Sequence, residues 1–521
     1  MKSDNVDILI VGAGAAGAAA AWNLSKSGYK ITCLEQGPFL NSKSYSFSQS
    51  NWEQLKQKEF NMNPNIRKLK SDYPIDDSKS PISIANFNAV GGATILYSGH
   101  FPRFHPSNFK TKTLDKVGSD WPFTYKDLEP YYELNDKMMG VAGLEGDPAY
   151  PPIPNLLPPV PLELSGKTVA KSFNKLGWHW WPSYSAITTS EYKNRKKGTR
   201  STVDITYWPP AINNGVELRA NCRVIKITTD NFGKVDGVIY KDQDNTEKLQ
   251  KASLVILACN GIGTPRLLLN STNKFFPNGL ANSSGLVGKN LMLHPLGYVE
   301  GKFDNFLGSF MGPEGCCIFS HEFYETNLSR GYKRGYTIHI LRGVGPLVTA
   351  FSARKFKKLS FGKNFHKNFS EHYGHSIPVA IICEDLPEIH NCVKLDYDNK
   401  DSSGMPGVKI NYKLSENSKK MLSHGLSKGK EIMKKAGAKS ILAFGPVRAT
   451  GWHLMGTTKM GTSNKNSVVN EFGQTHDIKN LVIVDSSIFV TSAGVNPIST
   501  LQAIALKITH NIKKFPKKFF N

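Results

Sequence analysis

Two polar side chains near the end of the 521-residue chain have the chemistry to accept a proton and to bind an oxygen atom by a hydrogen bond. His453 lies in the segment 452–461, and Asn496 lies in the segment 494–500. Histidine is the side chain best suited to remove a hydroxyl proton near neutral pH. Asparagine can hold the oxygen in place without titrating. A single histidine is more often structural, however, and asparagine is a common helix N-cap, so the elements around the pair must decide.

A strand and the first turn of a helix must position Asn496. Residues 481–485 predict a buried strand, and residues 494–506 predict an apolar helix whose first turn suits a proline. The N-terminus of such a helix carries a positive partial charge, which would stabilise negative charge on a bound ligand. The candidate cofactor contacts in this region are Asp485, Asn496, Pro497 and Thr500.

The first 35 residues predict a β-α-β unit that binds a dinucleotide. An apolar run at 8–11 precedes the pattern G-x-G-x-x-G at 12–17, and an Ala-rich helix and a second strand follow. The glycines permit a tight turn, close approach of a pyrophosphate and close helix packing, while the helix N-terminus binds phosphate. Because glycine accounts for 45 of 521 residues, the triplet alone is weak, and the surrounding elements carry the prediction. The candidate contacts are Gly12, Gly14, Ala15, Ala16, Gly17 and Glu35.

Glu35 ends the second strand, where its carboxylate can accept hydrogen bonds from a ribose diol. An acidic residue at this place disfavours NADP, because the 2′-phosphate would lie against it. Glu35 does not distinguish FAD from NAD, so the choice of cofactor depends on the rest of the chain.

Further segments in the middle of the chain are expected to belong to the same domain. The paired glycines of the segment 90–94 allow backbone to lie against a flat or phosphorylated ligand. A buried strand at 254–258 leads into a second glycine-containing helix, and strands at 216–219, 223–227 and 235–240 predict a small antiparallel sheet. The candidate contacts here are Gly91, Gly92, Thr94, Val224 and Ala258.

Other segments show how the chain is divided. The run 121–132 predicts the capped start of a helix, and the Pro-rich run 147–163 predicts a crossing between domains. Residues 296–445 lose the β-α rhythm and predict a separate α+β domain with a turn region at 398–406.

Composition excludes several classes of protein. The net charge is +23, but the lysines are spread along the chain and no nucleic-acid-binding motif organises them. The basic, aromatic tail 513–520 suits either peripheral contact with a lipid surface or, as the simpler interpretation, a frayed terminus. Seven cysteines without a C-x-x-C pattern predict buried thiols and no metal site. No signal peptide or membrane-spanning run is recognised, so a cytoplasmic location is expected.

The combination of motifs resembles the glucose-methanol-choline (GMC) oxidoreductase family over essentially the whole chain. The resemblance rests on the glycine motifs at 12–17 and 90–94, the segments 258–265 and 287–295, and two C-terminal motifs. The C-terminal motifs are H-x-x-G-T-x-x-M-G from His453 and the segment from Val484 through N-P-x-x-T at 496–500.

The resemblance implies a fold, a cofactor and roles for site residues. The fold class is α/β, with a doubly wound, Rossmann-like FAD-binding domain (1–155, 195–300 and 445–521) interleaved with an α+β substrate domain (156–194 and 301–444). His453 would take the proton from a CH–OH group of an alcohol, sugar or polyol, Asn496 would position the oxygen, and hydride would pass to flavin N5. Leu96 stands where some members attach FAD through histidine, so noncovalent FAD is expected. The run after Trp121 and the chain length favour the sugar- and polyol-oxidising members.

Two alternative functions stay open at this point. One is a lyase that uses FAD only as part of its scaffold. The other is a membrane-surface flavin dehydrogenase that docks through the basic tail and feeds a quinone or a cytochrome. The electron acceptor of the main hypothesis is oxygen, a quinone or a redox protein.

Overall fold

The structure is a computed structural model that describes residues 5–46, 50–189, 199–355 and 362–520. In chain order its strands are β1 (Val6–Val11), β2 (Ile31–Leu34), β3 (Ile75–Asp76), β4 (Trp181–Pro182), β5 (Ile187–Thr188), β6 (Thr199–Arg200), β7 (Glu217–Arg219), β8 (Arg223–Thr229), β9 (Val235–Lys241), β10 (Glu247–Leu257), β11 (Leu296–Lys302), β12 (Gly315–Ser320), β13 (Tyr336–Arg342), β14 (Ser376–Cys383), β15 (Cys392–Lys400), β16 (Pro406–Asn411), β17 (Ser440–Phe444) and β18 (Leu481–Ile483).

The α-helices are α1 (Ala15–Leu24), α2 (Trp52–Leu55), α3 (Pro64–Arg67), α4 (Thr111–Asp115), α5 (Tyr125–Met139), α6 (Glu163–Leu176), α7 (Val203–Thr206), α8 (Trp208–Asn213), α9 (Asn260–Asn270), α10 (Pro346–Lys355), α11 (Phe365–Ser370), α12 (Glu416–Ala436), α13 (Ile498–Lys514) and α14 (Lys517–Phe520). The capped start predicted within 121–132 is confirmed, because the Thr124 N–H donates to the Asp127 carboxylate at 2.7 Å at the start of α5.

A parallel sheet forms the core of the first domain. Its order is β7-β2-β1-β10, and β18 pairs with the far side of β10. Strands β1, β2 and β18 are apolar almost throughout and buried, as strands covered on both faces should be. Helix α13 packs against both α1 and α5 beside this sheet. The predicted Rossmann-like α/β fold is therefore confirmed.

The long strand β10 also belongs to a second layer. Its N-terminal half pairs antiparallel with β9, and β9 pairs antiparallel with β8. The prediction that residues 216–219 join this small sheet is wrong, because β7 pairs parallel with β2. The backbone N–H of Glu35 donates to the Arg219 carbonyl, and the Thr32 hydroxyl donates to the Glu217 carboxylate, which holds β7 at the edge of the parallel sheet.

A six-stranded antiparallel sheet dominates the second half of the chain, in the order β17-β11-β14-β13-β12-β4. Helices α6 and α12 pack on it, and the interface is a separate apolar cluster. The hairpin β15–β16 pairs instead with β3 and packs against α9. The division into the two stated sets of residue ranges stays a prediction, since this hairpin connects the two halves of the chain.

The basic C-terminal tail is packed rather than frayed, so the expectation of a frayed terminus is wrong. Phe519 is fully buried, and the Phe520 ring stacks on Tyr29 with a centroid distance of 5.1 Å. The Lys518 ammonium lies 4.2 Å from the centroid of the Phe472 ring. All seven cysteines are free thiols. In the part of the chain that the structure describes, no helix has the length and apolar character to span a membrane.

Candidate active site

A cavity of about 1040 Å³ lies between the parallel sheet and the six-stranded sheet. Gly12, Glu35, Ala258 and Asp485 follow the carboxyl ends of β1, β2, β10 and β18, and all four line this cavity. Carboxyl ends of parallel strands meet at one edge of a sheet, which is the usual ligand position in such folds. The sequence pattern of strand followed by glycine or acid therefore builds one side of the site.

The glycines leave room for a ligand close to the backbone. Gly12 has φ of +102°, and a Cβ there would lie 2.6 Å from the Ala258 carbonyl oxygen. A Cβ on Gly92 would lie 2.9 Å from the Gly14 Cα, so the two glycine motifs lie against each other. Helix α1 begins directly after Gly14, so its free N–H groups lie at the cavity. This cradle fits the pyrophosphate of a dinucleotide.

Glu35 is held in position before any ligand binds. Its carboxylate accepts hydrogen bonds from the backbone N–H groups of Ala13 and Gly37, each at 2.8 Å. Burial outweighs these bonds and raises the pKa of Glu35 to about 7. A ribose diol would add two donors to the same carboxylate and lower that pKa again.

Most of the sequence-predicted residues meet in the cavity, and three do not. The cavity lining includes Gly12, Gly14, Ala15, Ala16, Glu35, Gly92, Thr94, Val224, Ala258, His453, Asp485, Asn496 and Pro497. Gly17, Gly91 and Thr500 lie outside it. A Cβ on Gly17 would lie 1.9 Å from the Gly12 carbonyl oxygen, so this glycine allows the helix to pack closely on the turn. The Thr500 hydroxyl lies 2.7 Å from the Tyr132 hydroxyl, which ties α13 to α5.

His453 and Asn496 come together at the cavity with a third residue, His294. The Asn496 Nδ2 lies 3.3 Å from the Nε2 of His453, and the His294 Nδ1 lies 2.7 Å from the Nδ1 of His453. The His294 Nε2 in turn lies 2.9 Å from the carbonyl oxygen of Ala493 and 3.2 Å from that of Ser492. Asn496 is not a helix N-cap, because Pro497 occupies the N-cap position of α13.

These contacts fix the tautomer of both neutral imidazoles. A carbonyl only accepts, so the His294 Nε2 carries a proton and its Nδ1 accepts from the Nδ1–H of His453. An amide NH₂ group only donates, so the Nε2 of His453 must accept from Asn496. The contacts of His294 and of Asn496 give the same assignment, in which the Nε2 of His453 is unprotonated.

Burial keeps both histidines neutral. It lowers the pKa of His294 to about 4. The pKa of His453 is lowered well below its ordinary value near 6.5 by burial and by the neighbouring His294 and His100. His453 therefore has an unprotonated Nε2 at neutral pH, which is the state that a general base requires.

His294 is the residue that the sequence analysis missed. It lies in the segment 287–295, which was used for the resemblance without a role for any side chain. His100 and His339 also line the cavity and were not predicted to do so. Their only sequence signal is residue type, since neither lies in a motif with recognisable spacing.

Comparison with known protein families identifies the family of this chain. The family model described as GMC oxidoreductase matches residues 168–296 in its N-terminal part and 387–505 in its C-terminal part. A model described as an NAD(P)-binding Rossmann-like domain matches residues 10–66. The chain belongs to the GMC oxidoreductase family, and it is accordingly a flavin-dependent enzyme that acts on CH–OH donors.

Relatives with assigned activities extend over nearly the whole chain. The chain is 38% identical to 2-methyl-1,2-propanediol dehydrogenase of Mycolicibacterium austroafricanum, covering 97% of this chain and 95% of that protein. It is 27% identical to the fructose dehydrogenase large subunit of Gluconobacter japonicus, covering 96% and 97%.

Solved structures share the fold. Pyridoxine 4-oxidase from Mesorbium loti superimposes with a TM-score of 0.69 at 15% identity, covering 97% of this chain and 98% of that one. Formate oxidase from Aspergillus oryzae RIB40 superimposes with a TM-score of 0.70 at 14% identity, with complete coverage of both chains.

Proposed function

We propose that the protein oxidises a hydroxyl group of a small alcohol with His453 as the base and Asn496 as the group that holds the oxygen. The observation that carries the proposal is the fixed tautomer of His453, whose unprotonated Nε2 lies beside Asn496 at the cavity. A hydroxyl in this position would donate its proton to Nε2 and accept from the Asn496 amide.

The residues around His453 also support the charge that it gains. When Nε2 takes the proton, the ring becomes cationic while its Nδ1–H still donates to His294. The Asn496 Oδ1 is buried and has no partner among the described residues, so this amide can contact a ligand on that side as well. FAD, when bound, supplies the acceptor for the hydride that leaves the hydroxyl-bearing carbon.

A short, branched alcohol suits the cavity better than a polyhydroxylated one. Leu296, Ala380 and Ile382 form a buried apolar cluster, with Leu341 and Val447 packed against it, and all five line the cavity. Hydroxyl groups buried against this surface would lose hydrogen bonds to water. The relative named for 2-methyl-1,2-propanediol supports the same class of substrate.

The FAD is proposed to be noncovalent. Leu96 lines the cavity at the position where a histidine attachment would lie, and an alkyl side chain forms no bond to the flavin. Acid precipitation of the holoenzyme is expected to release all of the yellow flavin into the supernatant. Flavin that stays with the pellet would contradict the proposal.

The electron acceptor is proposed to be other than oxygen. The relatives that are 38% and 27% identical are both named dehydrogenases, which favours a quinone or a redox protein over air.

Replacing His453 tests its role directly. FAD-loaded His453→Ala should be reduced by 2-methyl-1,2-propanediol at least about a thousand-fold more slowly than the wild type, within the range for loss of a general base. The control is His390→Ala, which removes an exposed imidazole and should be reduced at the wild-type rate. A folded, FAD-loaded His453→Ala protein that retains the wild-type rate would show that His453 is not the base.

A further inference from the structure

The six-stranded sheet presents an apolar roof to the cavity. Leu296 on β11 and Ile382 on β14 are directly paired, and Leu341 on β13 lines the same space. Ala380 pairs with Tyr298 on one side and with His339 on the other. Since alternate residues of a strand share a face, these side chains cover one surface. The roof is therefore made of aliphatic side chains and the ring of Tyr298, except where His339 interrupts it.

His339 lacks the hydrogen bond that a buried imidazole requires. Its exposed fraction is 1%, and its Nε2 has no partner among the described protein atoms. A buried polar atom without a partner is unfavourable, and native proteins usually satisfy it with protein, water or ligand. Because His339 lines the cavity, a bound molecule is able to supply the missing partner.

His100 lies beside His339 and has the same property. Its ring centroid lies 5.3 Å from that of His339, and the two rings are nearly perpendicular at 85°. The Nε2 of His100 is also buried without a partner among the described residues, and His100 also lines the cavity. Two imidazoles with nitrogens that lack a described partner thus lie side by side at the cavity, next to the aliphatic side chains of the sheet.

Both rings are neutral near pH 7. Burial and the nearby Arg342 lower the pKa of His100 to about 4, and burial followed by neighbouring histidines lowers that of His339 well below 6.5. A neutral imidazole has one donor and one acceptor, which matches the donor and acceptor of a hydroxyl group.

The two histidines are near His453 but separate from the proposed catalytic contacts. His100, His339 and His453 all line the same cavity. Neither His100 nor His339 makes a hydrogen bond to His453, whose described partners are His294 and Asn496. The pair is therefore available to a second group of a molecule that is bound at His453.

We propose that His100 and His339 bind the second hydroxyl of a small diol while its first hydroxyl lies at His453 and its alkyl groups contact the apolar roof. This inference rests on the proposed oxidation at His453 and adds the substrate class. His100 and His339 are substrate-binding residues in this account, and they take no part in moving the proton.

A matched pair of alcohols tests the inference. Anaerobic flavin reduction is followed with 2-methyl-1,2-propanediol and with 2-methyl-1-propanol, which has a hydrogen in place of the second hydroxyl. The wild type should favour the diol by about a hundred-fold in the ratio of limiting rate to half-saturating concentration, since buried polar groups would otherwise stay unpaired. Most of the difference should lie in the half-saturating concentration, because the second hydroxyl is bound equally before and during reaction.

Substitutions of His339 and His100 test whether these two residues cause the preference for the diol. His339→Phe and, separately, His100→Phe keep an aromatic ring, so each should lower the efficiency with the diol about a hundred-fold and leave the monoalcohol within about threefold. The control is His321→Phe, which removes a buried imidazole outside the cavity lining whose Nε2 also lacks a partner in the described part of the chain. This variant should keep the wild-type preference.

The outcomes separate the two proposals. Equal efficiency with the two alcohols in the wild type would overturn the diol site and leave the oxidation at His453 standing. An unchanged preference in both His339→Phe and His100→Phe would overturn the assignment to these residues. A flavin that neither alcohol reduces would overturn the proposed function and the diol site together.

Discussion

At the residue scale, the unusual feature is a histidine whose proton position is determined by a series of hydrogen bonds through a second histidine. The carbonyl groups of Ser492 and Ala493 determine the tautomer of His294, and His294 determines that of His453. Ala493 has φ of +57°, which is unfavourable for a residue with a side chain. The unfavourable conformation belongs to the residue whose carbonyl makes the shorter contact to His294, which is where strain is commonly retained for function.

His294 is a positioning residue, and its substitution gives the first prediction at this scale. His294→Ala leaves the Nδ1–H of His453 without an acceptor and permits the other tautomer, whose Nε2 is protonated and cannot act as a base. The limiting rate of flavin reduction should fall about a hundred-fold, within the range of general-base effects. The measurement is anaerobic stopped-flow reduction across a range of substrate concentrations.

Two comparisons distinguish positioning from a merely structural role. His294→Gln offers a carbonyl oxygen to the same N–H, so it should recover a large part of the lost rate. The half-saturating substrate concentration and the bound FAD content should stay near wild type in both variants. A His294→Ala protein that reduces its flavin at the wild-type limiting rate would contradict the assigned tautomer.

At the element scale, two glycines of the motif at 12–17 have different roles. Gly17 allows helix α1 to pack closely, and Gly14 leaves room for the ligand. A Cβ on Gly17 would lie 1.9 Å from the Gly12 carbonyl oxygen, so Gly17→Ala must push α1 away from β1. A Cβ on Gly14 would meet only the Gly92 Cα at 3.8 Å, which is ordinary van der Waals contact, but Gly14 lines the cavity.

This contrast predicts separable effects. Gly17→Ala should lower the free energy of unfolding of the cofactor-free protein by about 3 kcal/mol, the upper end of the usual cost of overpacking, and should lower its unfolding temperature accordingly. Gly14→Ala should leave that temperature unchanged and weaken FAD binding by about tenfold or more, because the methyl group occupies space meant for the ligand. Thermal unfolding without FAD and fluorescence titration with FAD measure the two effects. Equal losses of stability in the two variants would be inconsistent with this account of the cradle.

The elements also show what the sequence could and could not predict. β1, α1, β2 and Glu35 were predictable because an apolar strand, a glycine turn and an Ala-rich helix are local signals. The placement of β7 was not, because a three-residue edge strand carries little periodicity and pairs with β2, which lies about 185 residues earlier. The tail was misjudged for a similar reason, since Phe519 is buried by partners that lie far from it in the sequence, such as Phe472.

The contacts between the site residues were also not predictable from local sequence patterns. The motifs indicated that His453 and Asn496 are chemically important, but their contact to each other spans 43 residues and that to His294 spans 159. Such long-range contacts are produced by the whole fold rather than by any local pattern. His100 and His339 are similarly brought together by the loop after Gly92–Ile95 and by β13.

At the scale of the whole molecule, two differently built sheets divide the work between cofactor and substrate. The parallel sheet ends in the glycine and acidic residues that fit a dinucleotide, while the antiparallel sheet covers the cavity with an apolar surface. His453 and Asn496 lie at the cavity between them, on segments that follow β17 and precede α13. The packed tail, whose aromatic rings contact Tyr29 and Phe472, leaves fewer aromatic side chains for a lipid surface than the sequence suggested.

The most direct test of the central claim is anaerobic reduction of the FAD-loaded wild-type enzyme by 2-methyl-1,2-propanediol at several pH values. The flavin absorbance should bleach, and the limiting rate should stay constant as the pH falls from 7.5 to about 6.5. The reason is that the pKa of His453 lies well below 6.5, so the base stays unprotonated over this range and the rate is lost only at lower pH. A flavin that this diol and a panel of other small alcohols leave oxidised, or a rate that falls steadily below pH 7.5, would contradict the account.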